Sequence, residues 1–265
     1  MFLAILGGLA LFLIGTNRIS AALQESAGPA ARRWMAAATS SPFKALLTGT
    51  AVSTVTQSGT PTAITALGLV AGGLISAGAG LALSLGAKLG GTAAIQLAAF
   101  NVSAYALPLI GIGFLFTLWR RGKAIGGILL GAGLLFLGLN LMVGAIGELQ
   151  DNQVFTMVLD AAASQGVILA LIGTVLGAAL GSGNAAAAVA IGLFVNDAIS
   201  LQTAVALVVG GNVGSTLLPL LVSRGLDTGA QRVAITHMLV KAICGLGVVF
   251  AAEPTARLVT YIGGD

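Results

Sequence analysis

The fold of this chain is decided by one stretch, Val52-Ser53-Thr54-Val55-Thr56-Gln57-Ser58-Gly59-Thr60-Pro61-Thr62. The stretch lies inside a long apolar segment, yet it carries six hydroxyl groups, one amide, one glycine and one proline. A membrane interior tolerates broken backbone only where the break is buried in protein or lines a wet cavity. Gly59 permits unusual backbone angles, and Pro61 lacks an N–H group and disfavours helix at the residue before it. We therefore predict a helix that breaks near Gln57–Pro61 and starts again.

The stretch by itself has two interpretations. A broken helix frees backbone N–H and C=O groups and points half-helix ends at one spot, where an ion can be held. A kinked spanning helix, whose Ser and Thr hydroxyls bond back to the preceding turn, fits the stretch equally well. The remainder of the chain has to separate the two.

The composition is that of a membrane protein. Of 265 residues, 57% are hydrophobic and only 8% are charged, whereas soluble domains carry about 25% charged residues. The 39 glycines predict closely packed helices with small residues at their contacts, which would also suit a homodimer. The net charge of the chain is +4. Because the basic residues lie in short loops, we interpret them as determinants of membrane topology and not as a nucleic-acid-binding surface. The single Cys244 excludes a disulfide framework and a cysteine metal site.

The chain divides into two halves that follow one plan. The first repeat covers residues 1–123, the second covers 124–252, and a short tail follows at 253–265. The predicted spans lie at 2–23, 78–100, 105–119, 124–146, 201–222 and 231–252, with a polar connector at 24–41. Each half also holds a pair of short apolar arms around a break. The pair in the first half lies at about 42–75, and the pair in the second half lies at about 166–196. The arms are nearer to ~15 than to the ~20 residues that a spanning helix needs, so we predict re-entrant hairpins.

Identities between the halves recur at one constant offset. Ser58-Gly59 and Ser182-Gly183 are 124 positions apart. The same offset relates Gly49 to Gly173, Gly68 to Gly192, Ser76 to Ser200, Gly86 to Gly210, Gly90 to Gly214 and Thr92 to Thr216. This regularity indicates a duplication, and paired interruptions in two halves are the best sequence pointer to a transporter's binding site.

The charges predict how the halves enter the membrane. Three crossings per half is an odd number, so the second half must enter from the opposite side. If each hairpin opens toward its preceding connector, one side receives Arg32, Arg33, Lys44, Arg120, Arg121, Lys123, Arg224 and Arg232, and the other receives Glu148, Asp151, Asp160 and Asp197. The positive-inside rule makes the first side cytoplasmic. We therefore predict an all-α, multi-pass protein of the plasma (inner) membrane, with two inverted-topology repeats, about six transmembrane helices and two opposed hairpins.

The hairpin tips are the candidate binding sites. The first tip offers Thr56, Gln57, Ser58, Gly59, Thr60 and Thr62. Hydroxyl and amide oxygens suit a hard cation such as Na⁺, and hydroxyl and N–H donors suit an oxyanion. The second tip, Ser182, Gly183 and Asn184, has fewer side-chain donors and more bare backbone. Neither tip needs a metal cofactor to bind an anion.

Three motifs lie in or near the two tips. They are Gln57-Ser58-Gly59-Thr60, Gly86-Ala87-Lys88-Leu89-Gly90-Gly91-Thr92 and Gly210-Gly211-Asn212-Val213-Gly214-Ser215-Thr216. They resemble the repeated Q-S-S-S signature and the G-A-N-I-G-T-T repeats of type II sodium/phosphate cotransporters and their bacterial relatives. In that family, the signature loops lie on opposing re-entrant hairpins and bind phosphate and sodium. The resemblance, which covers most of the chain, implies that Gln57, Ser58, Thr60, Ser182 and Asn184 lie at the substrate site.

Glycines replace signature residues at both tips. Gly59 and Gly183 stand in place of the middle serine, and Gly181 stands in place of the second glutamine. We keep Gly59 and Gly183 among the predicted substrate-binding residues, because glycine lets backbone approach a ligand closely. The predicted ion-binding or charge-substituting residues are Thr56, Thr62, Lys88, Thr92, Asn212, Thr216 and Lys241.

Two lysines depart from the family pattern. Lys88 stands where the family has asparagine, Asn212 keeps that asparagine, and Lys241 stands where another asparagine is expected. A lysine within a membrane span is costly and is a functional candidate by default. We hypothesise that an ammonium group here takes the space of a sodium ion or pairs with an anion. In the alternative, the lysines snorkel to an interface or pair with a carboxylate.

The leading prediction is a secondary transporter of a small inorganic anion, with sodium-coupled phosphate transport by alternating access at the opposed tips. Its expected partners are phosphate or a similar oxyanion, Na⁺ and the lipid bilayer, without nucleic acid. No set of acid, base and nucleophile converges on the tips, so we do not expect an enzyme. The alternative is a non-transporting scaffold or sensor subunit that retains the transporter fold, which the thinned signature and the two lysines favour. A passive channel is a third, weaker alternative.

Overall fold

The computed structural model describes residues 2–37, 39–56, 59–92, 103–119, 122–149 and 166–251, together with positions 153, 157, 254 and 261. Every regular element within those residues is helical. The chain forms two compact units. The larger unit holds Gly7–Asn140 and Pro219–His237, and the smaller unit holds Met1–Leu6, Leu141–Leu218 and Met238–Asp265. The repeat boundaries at 1–123 and 124–252 stay a prediction.

The helices follow one another with short connections. In chain order, the described α-helices are α1 (Phe2–Ala37), α2 (Pro42–Thr56), α3 (Gly59–Ala71), α4 (Ala77–Gly91), α5 (Ala106–Thr117), α6 (Lys123–Leu149), α7 (Gly166–Ala179), α8 (Gly183–Val195), α9 (Leu201–Gly214), α10 (Leu217–Ser223) and α11 (Thr228–Phe250). A 3₁₀ turn, Ser103–Tyr105, leads into α5.

Several helices have the length and the surface that a bilayer requires. Three segments of the described chain are long and apolar enough to cross a membrane: Lys123–Glu148, Leu201–Ser223 and Thr228–Phe250. Large apolar side chains also point outward, such as Val175 at 68% and Ile243 at 68% exposure. Apolar surface of this extent is stable only against lipid or another protein. The expectation of an all-α membrane protein is confirmed at this level.

Two groups of three helices share one local arrangement. We call α2, α3 and α4 the first trio, which lies in the larger unit, and α7, α8 and α9 the second trio, which lies in the smaller unit. The bounds of α8 are those of α3 moved by 124 positions. A left-handed residue follows each of these helices, Gly73 with φ of 67° and Asp197 with φ of 55°. A serine then caps the third helix, Ser76 on α4 and Ser200 on α9.

Glycines bring the first and third helices of each trio into main-chain contact. A Cβ built on Gly90 would overlap the carbonyl oxygen of Thr50 on α2. In the second trio, a Cβ on Gly214 would overlap the carbonyl oxygen of Thr174 in the same way. Close approach through small residues is the main packing mode where lipid removes the hydrophobic drive. Thus α4 packs directly on the main chain of α2, and α9 packs directly on that of α7.

Apolar cores hold the trios from behind. In the first trio, Ala45, Ala66, Ala79 and Leu83 form a buried cluster among the three helices. The start of α11 packs on α3 through a second cluster of Leu67, Val70, Ala230, Val233 and Ala234. In the smaller unit, the side of α9 is covered by α11, because a Cβ on Gly245 would lie 2.8 Å from Cγ1 of Val209.

Two local expectations were wrong. The connector at 24–41 does not separate from the first span, because α1 continues as one helix to Ala37; its Ala, Gln, Glu and Arg residues are strong helix formers. Pro61 lies inside the first turn of α3 and not in the break, a position where its missing N–H costs nothing. The predicted span at 201–222, by contrast, agrees with the candidate span Leu201–Ser223. A turn at Ser215 and Thr216 separates α9 from α10 within it, and their hydroxyls donate to the carbonyls of Asn212 and Val213.

Candidate functional site

The first trio ends its first helix in an unusual pair of hydroxyls. Ser53 and Thr56 are three residues apart on the last turn of α2 and so share one face. Ser53 is fully buried, and neither hydroxyl has a hydrogen-bond partner within the described residues. A buried hydroxyl that lacks a partner costs free energy, so native structures rarely keep one without a reason. Both hydroxyls are therefore candidates for contact with a ligand.

The start of α3 and the hydroxyl of Ser53 lie against the same residue of α4, Gly91. A Cβ built on Gly91 would be 3.2 Å from the backbone nitrogen of Gly59 and 3.3 Å from Oγ of Ser53. The first N–H groups of any helix lack intrahelical acceptors and carry a partial positive charge. The last turn of α2, the first turn of α3 and the end of α4 thus meet around one spot that combines hydroxyls with N–H donors.

Lys88 joins this spot from α4. Its Nζ donates a hydrogen bond of 2.9 Å to Oγ1 of Thr60 in the first turn of α3. A Cβ on Gly59 would lie 2.9 Å from the carbonyl oxygen of Ala87 and 3.4 Å from Cδ of Lys88. Glycine at position 59 therefore lets α3 begin in contact with the last turn of α4. Lys88 itself is half-buried.

The remaining threonines of the first tip differ in their roles. Thr62 is buried in the first turn of α3, at 6% exposure. Oγ1 of Thr92 donates 2.8 Å to the carbonyl oxygen of Leu89, so it closes the end of α4. Gln57 and Ser58, which the sequence predicts at the substrate site, lie outside the described residues.

The second trio builds its break from backbone. Gly181 adopts a positive φ of 60°, and Oγ of Ser182 accepts a hydrogen bond of 3.3 Å from the N–H of Ala185 as the cap of α8. Gly183 then begins α8 against α9, since a Cβ there would be 3.0 Å from Oδ1 of Asn212. Asn184 follows in the first turn of α8, half-buried.

A second ammonium group reaches the second trio from α11. Nζ of Lys241 donates 2.9 Å to the carbonyl oxygen of Asn212 and 3.3 Å to its Oδ1. The amide nitrogen of Asn212 in turn donates to the carbonyl oxygen of Val208, which fixes the side-chain oxygen toward the lysine. Oγ1 of Thr216 donates 2.6 Å to the carbonyl oxygen of Val213, the counterpart of the Thr92 contact.

The predicted residues thus separate into two clusters, one in each unit. The larger unit brings together Gly59, Thr60 and Lys88, and the smaller unit brings together Ser182, Gly183, Asn212 and Lys241. Ser53 was missed as a site residue, although its i, i+3 spacing from Thr56 was a usable signal. The position that corresponds to Ser53 in the second trio is Gly177, so only the first tip carries this pair of hydroxyls.

Comparison with known proteins gives one family. The family model described as Na⁺/Pi-cotransporter matches residues 11–144 and 148–263. The chain is 28% identical over 259 residues to "Putative inorganic phosphate export protein YjbB" of Salmonella typhimurium, covering 97% of this chain and 48% of that protein. The protein of the same name from Escherichia coli K12 is 28% identical over 247 residues, or 92% of this chain and 46% of its own length.

The chain spans about half the length of the curated relatives it matches. No solved structure gives a significant match to it. The matched family is a family of transporters and not a class of enzymes, in agreement with the prediction from the tips.

Proposed function

The chain belongs to the Na⁺/Pi-cotransporter family, and from this membership we propose that it transports inorganic phosphate across the plasma (inner) membrane. The observation that carries the proposal is the pair of buried hydroxyls of Ser53 and Thr56, which have no partner among the described residues and lie beside the start of α3. Phosphate accepts hydrogen bonds from hydroxyl and N–H donors, and a helix N-terminus adds favourable charge. The hydroxyl and N–H donors of the tip therefore replace much of the water that hydrates the phosphate ion.

We propose that the two trios are inverted repeats whose hairpins enter the membrane from opposite faces. The recurrence of helix bounds, caps and glycine contacts at an offset of 124 supports a duplication. In transporters of this architecture, substrate binds where interrupted helices of two such repeats meet near the midplane. Alternate opening of the site to each side would then move phosphate without a continuous pore.

We further propose that Na⁺ drives the cycle. Hard monovalent cations prefer oxygen ligands, and the same hydroxyls that donate to an oxyanion can offer lone pairs to Na⁺. A sodium ion beside the phosphate would offset its negative charge in the low dielectric of a membrane protein, where an unbalanced charge is costly. Coupling follows if neither ion binds well without the other.

Flux measurements on the full chain in proteoliposomes test this function. We expect saturable uptake of radiolabelled phosphate, competition by other tetrahedral oxyanions, and no uptake in protein-free vesicles. With the membrane potential held at zero, a ~tenfold inward Na⁺ gradient should accumulate phosphate about tenfold for each Na⁺ coupled, because a tenfold ratio is worth about 1.4 kcal/mol. A choline gradient of the same size is the control.

Other outcomes would contradict specific parts of the proposal. Saturable phosphate binding without flux would support a scaffold or sensor that keeps the transporter fold. Conductance that does not saturate and ignores gradients would support a channel. Phosphate flux that equilibrates but never accumulates under a Na⁺ gradient would retain phosphate transport and overturn sodium coupling.

A further inference from the structure

Each trio has an ammonium group near the end of its third helix, although different helices supply it. Lys88 is on α4 itself and reaches Thr60 on α3. In the second trio, the position 124 residues after Lys88 is Asn212, and the ammonium arrives from Lys241 on α11. Lys88 and Asn212 each also lie against the first glycine of the preceding helix, Gly59 or Gly183.

The surroundings of both ammonium groups are those that attract a cation. Lys88 and Asn212 are in the last turns of α4 and α9, where the helix dipole is negative and carbonyl groups lack intrahelical donors. The atoms that accept from the lysines include a hydroxyl oxygen of Thr60 and the carbonyl and amide oxygens of Asn212. Hydroxyl, carbonyl and amide oxygens are also the ligands that a hard monovalent cation takes.

We propose that Lys88 and Lys241 are tethered cations: each ammonium group occupies a position that a bound Na⁺ would otherwise fill at the tip of its trio. The inference rests on the proposed phosphate transport and specifies its coupling. A tethered ammonium balances the charge of phosphate but stays with the protein, so it carries no charge across the membrane. Each lysine therefore lowers by one the number of Na⁺ that moves with phosphate.

The lower stoichiometry changes what drives the flux. At zero membrane potential, the phosphate concentration ratio that the protein can sustain equals the Na⁺ concentration ratio raised to the number of coupled Na⁺ ions. Each Na⁺ lost from the cycle lowers that exponent by one. The net direction of phosphate movement then follows the phosphate gradient more closely. This separates the chain from a transporter of the same fold whose tips hold free sodium ions.

Asparagine substitutions test the proposal in the same vesicles. Lys88→Asn gives the first trio the residue that the second trio already has, and Lys241→Asn opens the oxygens of Asn212. We expect each variant to couple one more Na⁺, so that a ~tenfold Na⁺ gradient accumulates phosphate about tenfold further than in the parent. Lys88→Met and Lys241→Met, which supply no oxygen ligand, should not gain this step. Lys44→Asn, on the exposed start of α2, should match the parent.

Sodium-dependent melting in detergent supplies a readout that needs no flux. Ligands that bind only the folded state raise its Tm. For each protein, the quantity compared is the difference between its Tm in Na⁺ and its Tm in choline. We expect this difference to be larger for Lys88→Asn and Lys241→Asn than for the parent. An unchanged Na⁺ stoichiometry in both asparagine variants, or an equal Na⁺ effect on Tm in parent and variants, would overturn the tethered cations. Absence of phosphate flux in the parent would overturn the proposed function, while the melting data would still decide the lysines.

Discussion

Replacing Gly90 by alanine is expected to destabilise the protein by about 2 kcal/mol and to abolish transport. The added Cβ would overlap the carbonyl oxygen of Thr50 and lie 2.6 Å from the backbone nitrogen of Thr54. These atoms belong to the main chain of α2, so no change of side-chain rotamer relieves the overlap and the two helices must separate. Overpacking of this kind costs roughly 1–3 kcal/mol.

The measurement is the Tm of purified protein in detergent, with phosphate flux recorded in parallel. For a chain of this size, about 2 kcal/mol corresponds to a fall of roughly 4–8 °C. Gly68→Ala on α3 is the matched control, because a Cβ there would meet no atom within 4 Å. Gly214→Ala should repeat the effect in the second trio, since its Cβ would overlap the carbonyl oxygen of Thr174. Equal Tm values for Gly90→Ala and Gly68→Ala would contradict the main-chain contact of α2 and α4.

Local signals in the sequence were sufficient to find the trios. The helix breaks coincide with glycine and hydroxyl residues, and Ser76 and Ser200 cap α4 and α9 as short polar side chains do. The constant offset of 124 then carries over to the contacts, because residues that are equivalent in sequence experience the same neighbours. Gly49 meets the carbonyl oxygen of Leu83, and Gly173 meets that of Leu207.

Other features depend on tertiary structure and could not be derived from spacing. Lys241 donates to Asn212, which is 29 positions earlier on another helix, and no local pattern connects the two. Pro61 disfavours helix before it, but the packing of Gly59 on Ala87 still begins α3 two residues earlier. Ser53 has no hydrogen-bond partner within the described part of the chain, and this is likewise a property of three helices together and not of the α2 sequence.

Replacing Ser53 by alanine is expected to separate stability from function. The hydroxyl of Ser53 is buried and makes no hydrogen bond within the described residues, so its removal relieves an unpaired polar group. We expect the free energy of unfolding to stay level or to rise by about 1 kcal/mol. If the hydroxyl instead binds the substrate or its coupling ion, phosphate transport should fall, because a hydrogen bond to a charged group contributes roughly 1.5–3 kcal/mol.

The size of that loss is about ten- to 100-fold in transport at limiting substrate, since each 1.4 kcal/mol is about a factor of ten. Separate titrations of phosphate and Na⁺ identify which ion the hydroxyl contacts, because only the half-saturation constant of that ion rises before the maximal rate falls. Uptake by the parent in the same vesicle preparation is the reference. A half-saturation constant that is unchanged for both ions would exclude Ser53 from the site.

Ser84→Ala on α4 is the matched control, because Ser84 is also buried but its Oγ donates 2.8 Å to the carbonyl oxygen of Gly80. That variant loses a satisfied hydrogen bond, so we expect it to lose about 1 kcal/mol of stability and to transport normally. The two serines should thus show opposite patterns, one with function lost at full stability and one with stability lost at full function. If Ser53→Ala instead loses stability and transports normally, as expected of Ser84→Ala, then Ser53 serves only in packing. The substrate must then be bound by other groups at the tip of the first trio.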